Sequence, residues 1–347
     1  MGLNIRDIIP RKEIEMDSLK GKTLCVDAFN TLYQFLSTIR QADGTPLMDN
    51  KKRMTSHLSG IFYRNISLLS EGIKLIYVFD GTPPALKYKT HEKRQQNRDT
   101  ATQNLETAKQ REDLDAMKRY SSQLARLTNE MIQESKELLE AMGIPVVQAP
   151  GEGEAEAAHL CRIKKQIFSS VSQDYDSLLF GSPRLIRNLT LSKRRKTFSG
   201  WAEVKIELIE LEKVLNNLGI NLDQLICLGI LVGTDYNPKG IPGIGQKKAL
   251  ELVQKYKQPV IIFEEVEEKI MSLPEEDKFD WKEIFELFHK YPVTSGDFEF
   301  KKINEKKIKQ ILVEEHDFSE ERIEKQLEKL RDAREKQKQK GLDKWFN

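Results

Sequence analysis

Four segments of this chain run as short hydrophobic strands straight into carboxylates. TLCVDAF ends near Asp27, IKLIYVFDG at Asp80 and FSSVSQDYD at Asp174 and Asp176, while PVVQAPGEGEAEAA delivers Glu152 and Glu154. A seventh acid, Asp235, closes an apolar helical stretch in LVGTDY. In an open α/β sheet, ligands bind beyond the carboxyl ends of the strands, so acids placed there repeatedly converge on one point. A cluster of hard oxygen ligands suits divalent cations. Any one acid after a strand can instead be a turn former or a helix cap. Seven at matching topological positions go beyond that role.

Spacing strengthens the pattern. Glu152/Glu154 and Asp174/Asp176 are two residues apart. On a helix such residues face different ways, but at a strand end or in a loop both carboxylates of a pair can point at one centre. Two carboxylates 5 Å apart repel by roughly 3 kcal/mol at an effective dielectric of 20. Without cations the cluster therefore takes up protons and raises several pKa values, and two divalent ions offset much of the charge. The five histidines (His57, His91, His159, His289, His316) are scattered and form no HExxH or Cys/His zinc pattern. There is no Walker A motif, and GIGQKKA does not complete GxGxxG. VDAFNTL approaches the phosphatase motif DxDxT, but Phe29 stands in the second acid's place. A carboxylate-only metal site fits two-metal phosphodiester hydrolysis.

With 347 residues the chain suits one large domain or two modest ones. Its net charge of +2 says little about partners, so local asymmetry carries that argument. Cys25, Cys161 and Cys227 lie in apolar contexts far apart in sequence, which reads as reduced core thiols in an intracellular protein. No apolar signal-peptide core opens the sequence, and no segment approaches the length of a transmembrane helix.

Residues 1–80 read as α/β: a strand near 23–28, a helix around 29–40 with Leu32, Phe35, Leu36 and Ile39 on one face, a helix over 53–71 and a strand near 74–79. Residues 84–142 change character, with Leu114, Met117, Leu124, Met131 and Leu138 forming one narrow helical stripe. Residues 87–110 are nearly polar all round, as in helices that bridge solvent or are ordered by a partner. The α/β alternation returns over 143–191, and residues 203–256 read as helical, broken at DYNPKGIPGIG. The charge-dense segment from 319 starts a helix with Ser319 as N-cap.

Two basic elements turn the acids toward phosphate. Directly after Asp80, Lys87, Lys89, Lys93, Arg94 and Arg98 stand against one acid, Glu92. Lys87 and Arg94 are seven apart, so one helical face can present both; a solvated basic face is the alternative. In GIPGIGQKKALELV, Gly243 and Gly245 give a tight hairpin whose N–H groups can meet a phosphate at a helix N-terminus, with Lys247 and Lys248 beside it. That is the helix-hairpin-helix pattern of sequence-independent duplex binding. The run Lys193–Lys196 reads as an exposed loop. Phe35 reads as core, and Tyr33 as either core or a base-stacking residue.

Together these residues resemble the flap endonuclease family of structure-specific 5′ nucleases along essentially the whole chain. The motifs that carry the resemblance are MGLNIRDII, VDAFNTLYQFL, TSHLSGIFYRN, YVFDGTPPALK, APGEGEAEAA, SQDYDSLLFG and LVGTDYNPKGIPGIG. The resemblance implies an α/β fold with a mostly parallel central sheet flanked by helices, one nuclease domain over 1–330 and a tail at 331–347. Within the domain it implies an N-terminal region to 100, a helical arch over 84–135, and an internal region 136–257 that carries the hairpin element 235–256.

The resemblance also assigns roles. Asp27, Asp80, Glu152, Glu154, Asp174, Asp176 and Asp235 would hold two Mg2+ ions, with Mn2+ as a substitute. Lys87 and Arg94, with Lys93 beside them, would contact the scissile phosphate, and Asp176 would be needed for cleavage. Gly2 would lie near the site, Tyr33 would stack on a base, and TSHLSGIFYR, with Arg64, would receive a one-nucleotide 3′ flap. The hairpin would bind duplex DNA, with K+ as a possible companion. Gln339, Leu342, Trp345 and Phe346 resemble a box that binds the sliding clamp (PCNA). The chain lacks the basic extension that follows this box in eukaryotic relatives, which implies an archaeal-type, cytoplasmic or nucleoid protein, monomeric on its own and without a membrane partner. A PIN-type ribonuclease and a catalytically silent DNA- or clamp-binding scaffold remain as alternatives.

Overall fold

The computed structural model describes residues 3–41, 43–111, 113–190, 194–197 and 200–343; within these, the side chains of 88–94, 97, 109, 114, 115, 118, 122, 194–197, 200–202 and 337–343 are not described. In chain order, β1 (Lys12–Ile14), β2 (Thr23–Asp27), α1 (Ala28–Thr38), α2 (Ser56–Ser70) and β3 (Lys74–Phe79) come first. The helices α3 (Tyr88–Gln110), α4 (Leu114–Gln123) and α5 (Asn129–Ala141) follow. Then β4 (Val146–Gln148), α6 (Gly153–Ile163), β5 (Ile167–Val171), α7 (Asp176–Leu179) and β6 (Arg184–Arg187) alternate. Next come β7 (Arg194–Thr197), β8 (Gly200–Glu203) and β9 (Ile206–Glu210). Helices close the chain: α8 (Leu211–Leu218), α9 (Leu222–Val232), α10 (Gln246–Tyr256), α11 (Pro259–Glu264), α12 (Glu267–Met271), α13 (Trp281–His289), α14 (Glu305–Lys309) and α15 (Glu320–Asp343).

The chain divides into two compact units. The first comprises Met1–Glu15, Asp80–Lys93 and Gln148–Gly296; the second comprises Met16–Phe79, Arg94–Val147 and Asp297–Asn347. In the first, β5 runs parallel to β6, β6 antiparallel to β9, and β9 antiparallel to β1. Its core centres on α9, where Leu225, Ile226, Leu228, Ile230 and Leu231 are all buried. Asn221 and Gln224 start α9 with a reciprocal capping box, which satisfies two of the N–H groups a helix start leaves open. In the second unit β2 and β3 pair in parallel from Thr23↔Lys74 to Asp27↔Val78, and Tyr77 N–H reaches Pro145 O beside β4. Leu32, Phe35 and Leu36 of α1 are buried, as the helical face predicted. Near the chain end, Ile323, Leu327 and Leu330 of α15 form a buried stripe at helical spacing, and α15 packs on α2.

The α/β expectation is met, with parallel pairs in both units; in the first, β9 and β1 add antiparallel pairing. Three local readings change. Residues 206–210 form a strand, not helix: IELIE alternates partly exposed and buried positions, and pairing with β6 overrides the helical preference of Leu and Glu. Residues 194–197, expected as loop, pair antiparallel with 200–203. The single stripe over 114–138 is divided between α4 and α5, because Asp113 and Thr128 each cap a new helix start by accepting from Ala116 N and Met131 N. The three cysteines are buried free thiols. Among the described residues no single helix is long and apolar enough to cross a membrane.

Candidate active site

The first unit holds six of the seven predicted acids. Asp80 follows β3, and its Oδ1 accepts from Gly153 N at 2.7 Å. The neighbouring backbone is pinned by Gly81 N to Gly151 O and Thr82 N to Pro150 O. A Cβ on Gly81 would lie 2.3 Å from Ala149 O, so only glycine permits this approach. Glu152 is the N-cap of α6 and Glu154 lies in its first turn. Asp174 precedes α7, and Asp176 is its first residue. Each i, i+2 pair thus straddles a helix start, which is how both carboxylates of a pair escape the divergence they would have inside a helix. Ser172 ties the two pairs together: Asp174 N donates to its Oγ at 3.2 Å, and its hydroxyl donates to Glu154 Oε1 at 2.7 Å. Asp235 sits in the turn after α9, where Asn237 Oδ1 accepts from Thr234 N and Oγ1, and Asn237 Nδ2 donates to Ile230 O.

Lys87 reaches into this group. Its Nζ lies 2.5 Å from Glu152 Oε1 and 3.1 Å from Asp235 Oδ2, with the side chain 15% exposed. Burial alone would lower its pKa, but the carboxylates of Glu152 and Asp235 outweigh burial and raise it. Asp176 behaves oppositely. Burial, then the like charges of Asp235 and Asp174, push its pKa well above the usual carboxylate range. Its Oδ1 is buried without a hydrogen-bond partner. An orphaned carboxylate oxygen amid other carboxylates is what a hard divalent cation would satisfy, so this donor set fits divalent-cation chemistry. Among the described residues no three acid, histidine or cysteine side chains are already gathered as a cation cage; Glu152 and Asp235 gather around the Lys87 ammonium.

Residues outside the predicted set hold these acids. Tyr236 OH donates to Glu152 Oε2 at 2.8 Å, and Glu152 N donates to Tyr291 OH at 3.0 Å. Burial, followed by the Glu152 charge, raises the pKa of both phenols, so both stay neutral, Tyr236 as a donor and Tyr291 as an acceptor. Behind them Phe180 and Phe288 complete an aromatic box, with Tyr236–Phe288 and Phe180–Tyr291 centroids 5.5 and 5.3 Å apart. Arg187 of β6 fixes the loop between Ser172 and Asp176 by donating to Gln173 O and Tyr175 OH. Tyr236 adjoins Asp235 in sequence and was open to detection there. Tyr291 and Arg187 carry no local signal, because their partners lie 139 and 14 residues away.

The glycine hairpin also belongs to this unit. Ile241 and Ile244 are buried anchors, while Gly243, Gly245, Lys247 and Lys248 face outward at the start of α10. Gly240 passes so close to the end of α9 that a Cβ would lie 2.3 Å from Val232 O. Lys87 ends a 3-10 turn (Ala85–Lys87) set by Pro83 and Pro84, one residue before α3 begins. It is therefore not on α3 itself. Arg94 and Lys93 lie in α3, with side chains outside those described.

In the second unit Asp27 ends β2, is buried, and caps α1 through Asn30 N to Oδ1 at 3.0 Å. Tyr33 is 38% exposed, so core packing does not account for it. Arg64 on α2 is half-buried, and burial lowers its pKa. His57, at the start of α2, is fully buried with Nε2 on Glu134 Oε2 at 3.1 Å; His316 bridges Glu134 and Asp49. Gly2, Trp345 and Phe346 lie outside the described residues, and Gln339 and Leu342 lie in α15 with side chains not described.

Comparison with known proteins identifies the family. The XPG N-terminal domain matches residues 4–101 and the XPG I-region residues 143–235. The chain is 49% identical over 356 residues to flap endonuclease 1 of Hyperthermus butylicus, covering 100% of this chain and 99% of that one. It is 48% identical over 349 residues to the Pyrococcus furiosus protein of the same name, with 100% and 99% covered. The solved flap endonuclease-1 from Methanococcus jannaschii superposes with a TM-score of 0.74 at 39% identity, covering 96% of this chain and 98% of that chain. With identity near half along the full length and both domain models matching, the chain belongs to the flap endonuclease family of metal-dependent DNA nucleases.

Proposed function

We propose that this protein is a structure-specific 5′ flap endonuclease with 5′-3′ exonuclease activity, acting on branched DNA in Okazaki-fragment processing and base-excision repair. The observation that carries the reading is Lys87 held between Glu152 and Asp235 at the foot of the polar helix α3, with Asp176 buried beside the charges of Asp235 and Asp174. These acids, with Asp27 assigned by the resemblance alone, are proposed to hold two Mg2+ ions. When bound, such ions activate a water and offset the charge that develops on the phosphate. Asp176 supplies an unpartnered oxygen to that purpose. Lys87 and Arg94 contact the scissile phosphate, and Tyr33 stacks on the adjoining base.

The exposed hairpin glycines Gly243 and Gly245, with Lys247 and Lys248, are proposed to grip the duplex backbone without reading sequence, with K+ as a companion ion. Arg64 and its segment receive the 3′ flap. The last residues recruit the sliding clamp to an otherwise monomeric enzyme, which works beside the genome in an archaeal-type cell. Removing residues 339–347 should abolish clamp stimulation and leave intrinsic cleavage. The central reading is tested with end-labelled substrates of identical sequence: 5′ flap, blunt duplex, single strand and the flap in RNA. Fast Mg2+-dependent cleavage at the flap junction is expected. Equal cleavage of all four, or preference for RNA, would overturn it.

A further inference from the structure

Lys87 is held differently from the chain that leads to it. The residues just after Asp80 are fixed by backbone hydrogen bonds, Gly81 N to Gly151 O and Thr82 N to Pro150 O. After Pro83 and Pro84, Lys87 N bonds within its own turn, to Pro84 O. Among the described residues, this turn is tied to the acids by the side-chain contacts of Lys87 with Glu152 and Asp235. A backbone bond at the root and an ionic bond at the tip describe a short arm with an exchangeable end.

That end sits where the acids need positive charge. One ammonium faces two carboxylates directly, yet Asp176 keeps a buried oxygen with no partner. Lys87 therefore offsets the cluster only in part. Divalent ions carry more charge and accept several oxygen ligands each, so they compete for the same carboxylates with the advantage on their side. Tyr236 and Tyr291 hold Glu152 by its other oxygen and its backbone, so exchange at Oε1 need not displace the residue.

We propose that Lys87 is the built-in counter-ion of the metal-free carboxylate cluster, and that divalent cations displace it, freeing the ammonium at the foot of the arch for a DNA phosphate. This rests on the reading of the acids as the metal site. It makes metal loading and arch release a single exchange: the side chain that contacts phosphate is withheld until the cations are in place.

The test uses the full chain without DNA, with Mn2+ alone as the probe. Lys87 acylation by an amine-reactive ester, read by peptide mass spectrometry, should rise about tenfold when Mn2+ saturates, within the usual span for linked binding events. Acylation of Lys247 should not change. By calorimetry Lys87→Met should bind Mn2+ about tenfold more tightly than wild type, because its competitor is gone. Acylation of Lys87 that stays constant across a saturating titration, or Lys87→Met binding Mn2+ no more tightly, would overturn the counter-ion role. Asp176→Asn separates the two levels. If it binds Mn2+ like wild type, the metal-site reading itself fails, whereas weakened binding with unchanged Lys87 behaviour removes the exchange alone.

Discussion

Tyr236 donates its hydroxyl to Glu152 Oε2 at 2.8 Å, while Lys87 holds the other oxygen of the same carboxylate. The two oxygens thus have a fixed and an exchangeable partner. Groups that orient a metal ligand typically carry roughly 10–100-fold in affinity or activity. Tyr236→Phe keeps the ring in its aromatic box and removes only the donor. It should weaken Mg2+ dependence by about that factor in single-turnover cleavage, with the melting temperature little changed. An unaltered Mg2+ titration would argue against this orientation.

Asp176 pulls stability and function apart. Its folded pKa is raised, first by burial and then by Asp235 and Asp174. A carboxyl with a raised folded pKa stabilises the fold while protonated, and that contribution is lost as pH rises through the folded pKa. The metal-free protein at neutral pH therefore carries a cost here. Asp176→Asn should stabilise the metal-free protein on the order of 1–3 kcal/mol, the size of a buried unsatisfied polar group. Cleavage should be lost. Adding Mn2+ should raise the melting temperature of wild type and close the gap, which calorimetric scans with and without metal can read.

The second unit should set the acid limb of stability. Burial lowers the pKa of His57, so the ring is neutral in the fold and charges once unfolded. Burial would raise Glu134, but the hydrogen bonds of His316 and His57 outweigh it and bring it to about 2. Both contributions fade on acidification. That of His57 goes below its unfolded pKa of about 6.5. That of Glu134 goes below its ordinary value of 4.5 towards about 2. Thermal melts should fall steadily from pH 7 to pH 3, and Glu134→Gln should flatten the lower part of that slope. Parallel curves for the two proteins would remove Glu134 as a source.

Lys247 and Lys248 are exposed at the start of α10 beside the outward-facing glycines. If they neutralise phosphates, each contributes one released counter-ion. Lys247→Ala with Lys248→Ala should weaken flap binding equally for different base sequences and lower the salt slope by about two. Anisotropy titrations across several salt concentrations measure both. Sequence-dependent loss would point to base contacts instead.

Much of the site was legible because its signal is local. A hydrophobic run followed by an acid places that acid at a strand or helix end wherever the strand pairs, and Asp80, Asp174 and Asp235 behaved so. The hairpin was legible for the same reason: Gly243 with φ 75° needs glycine, and Ile241 and Ile244 need a core. What escaped depends on distant partners. Nothing near Tyr291 in sequence shows that its hydroxyl receives Glu152 N across 139 residues. The strand at 206–210 is written in Leu, Ile and Glu, which suit a helix equally; β6 and β1 on either side decide it. The seven-residue spacing of Lys87 and Arg94 suggests one helical face, but the two prolines before Lys87 start a 3-10 turn, and its ammonium lies against Glu152 and Asp235.

The most direct measurement is single-turnover cleavage of an end-labelled 5′ flap by Asp176→Ala at saturating Mg2+, with flap affinity measured alongside. Expected is wild-type flap binding with cleavage slowed on the order of a thousandfold, equivalent to several kcal/mol of lost metal-assisted stabilisation. Cleavage within a few-fold of wild type, with the flap still bound, would contradict the assignment of these carboxylates as the hydrolytic centre.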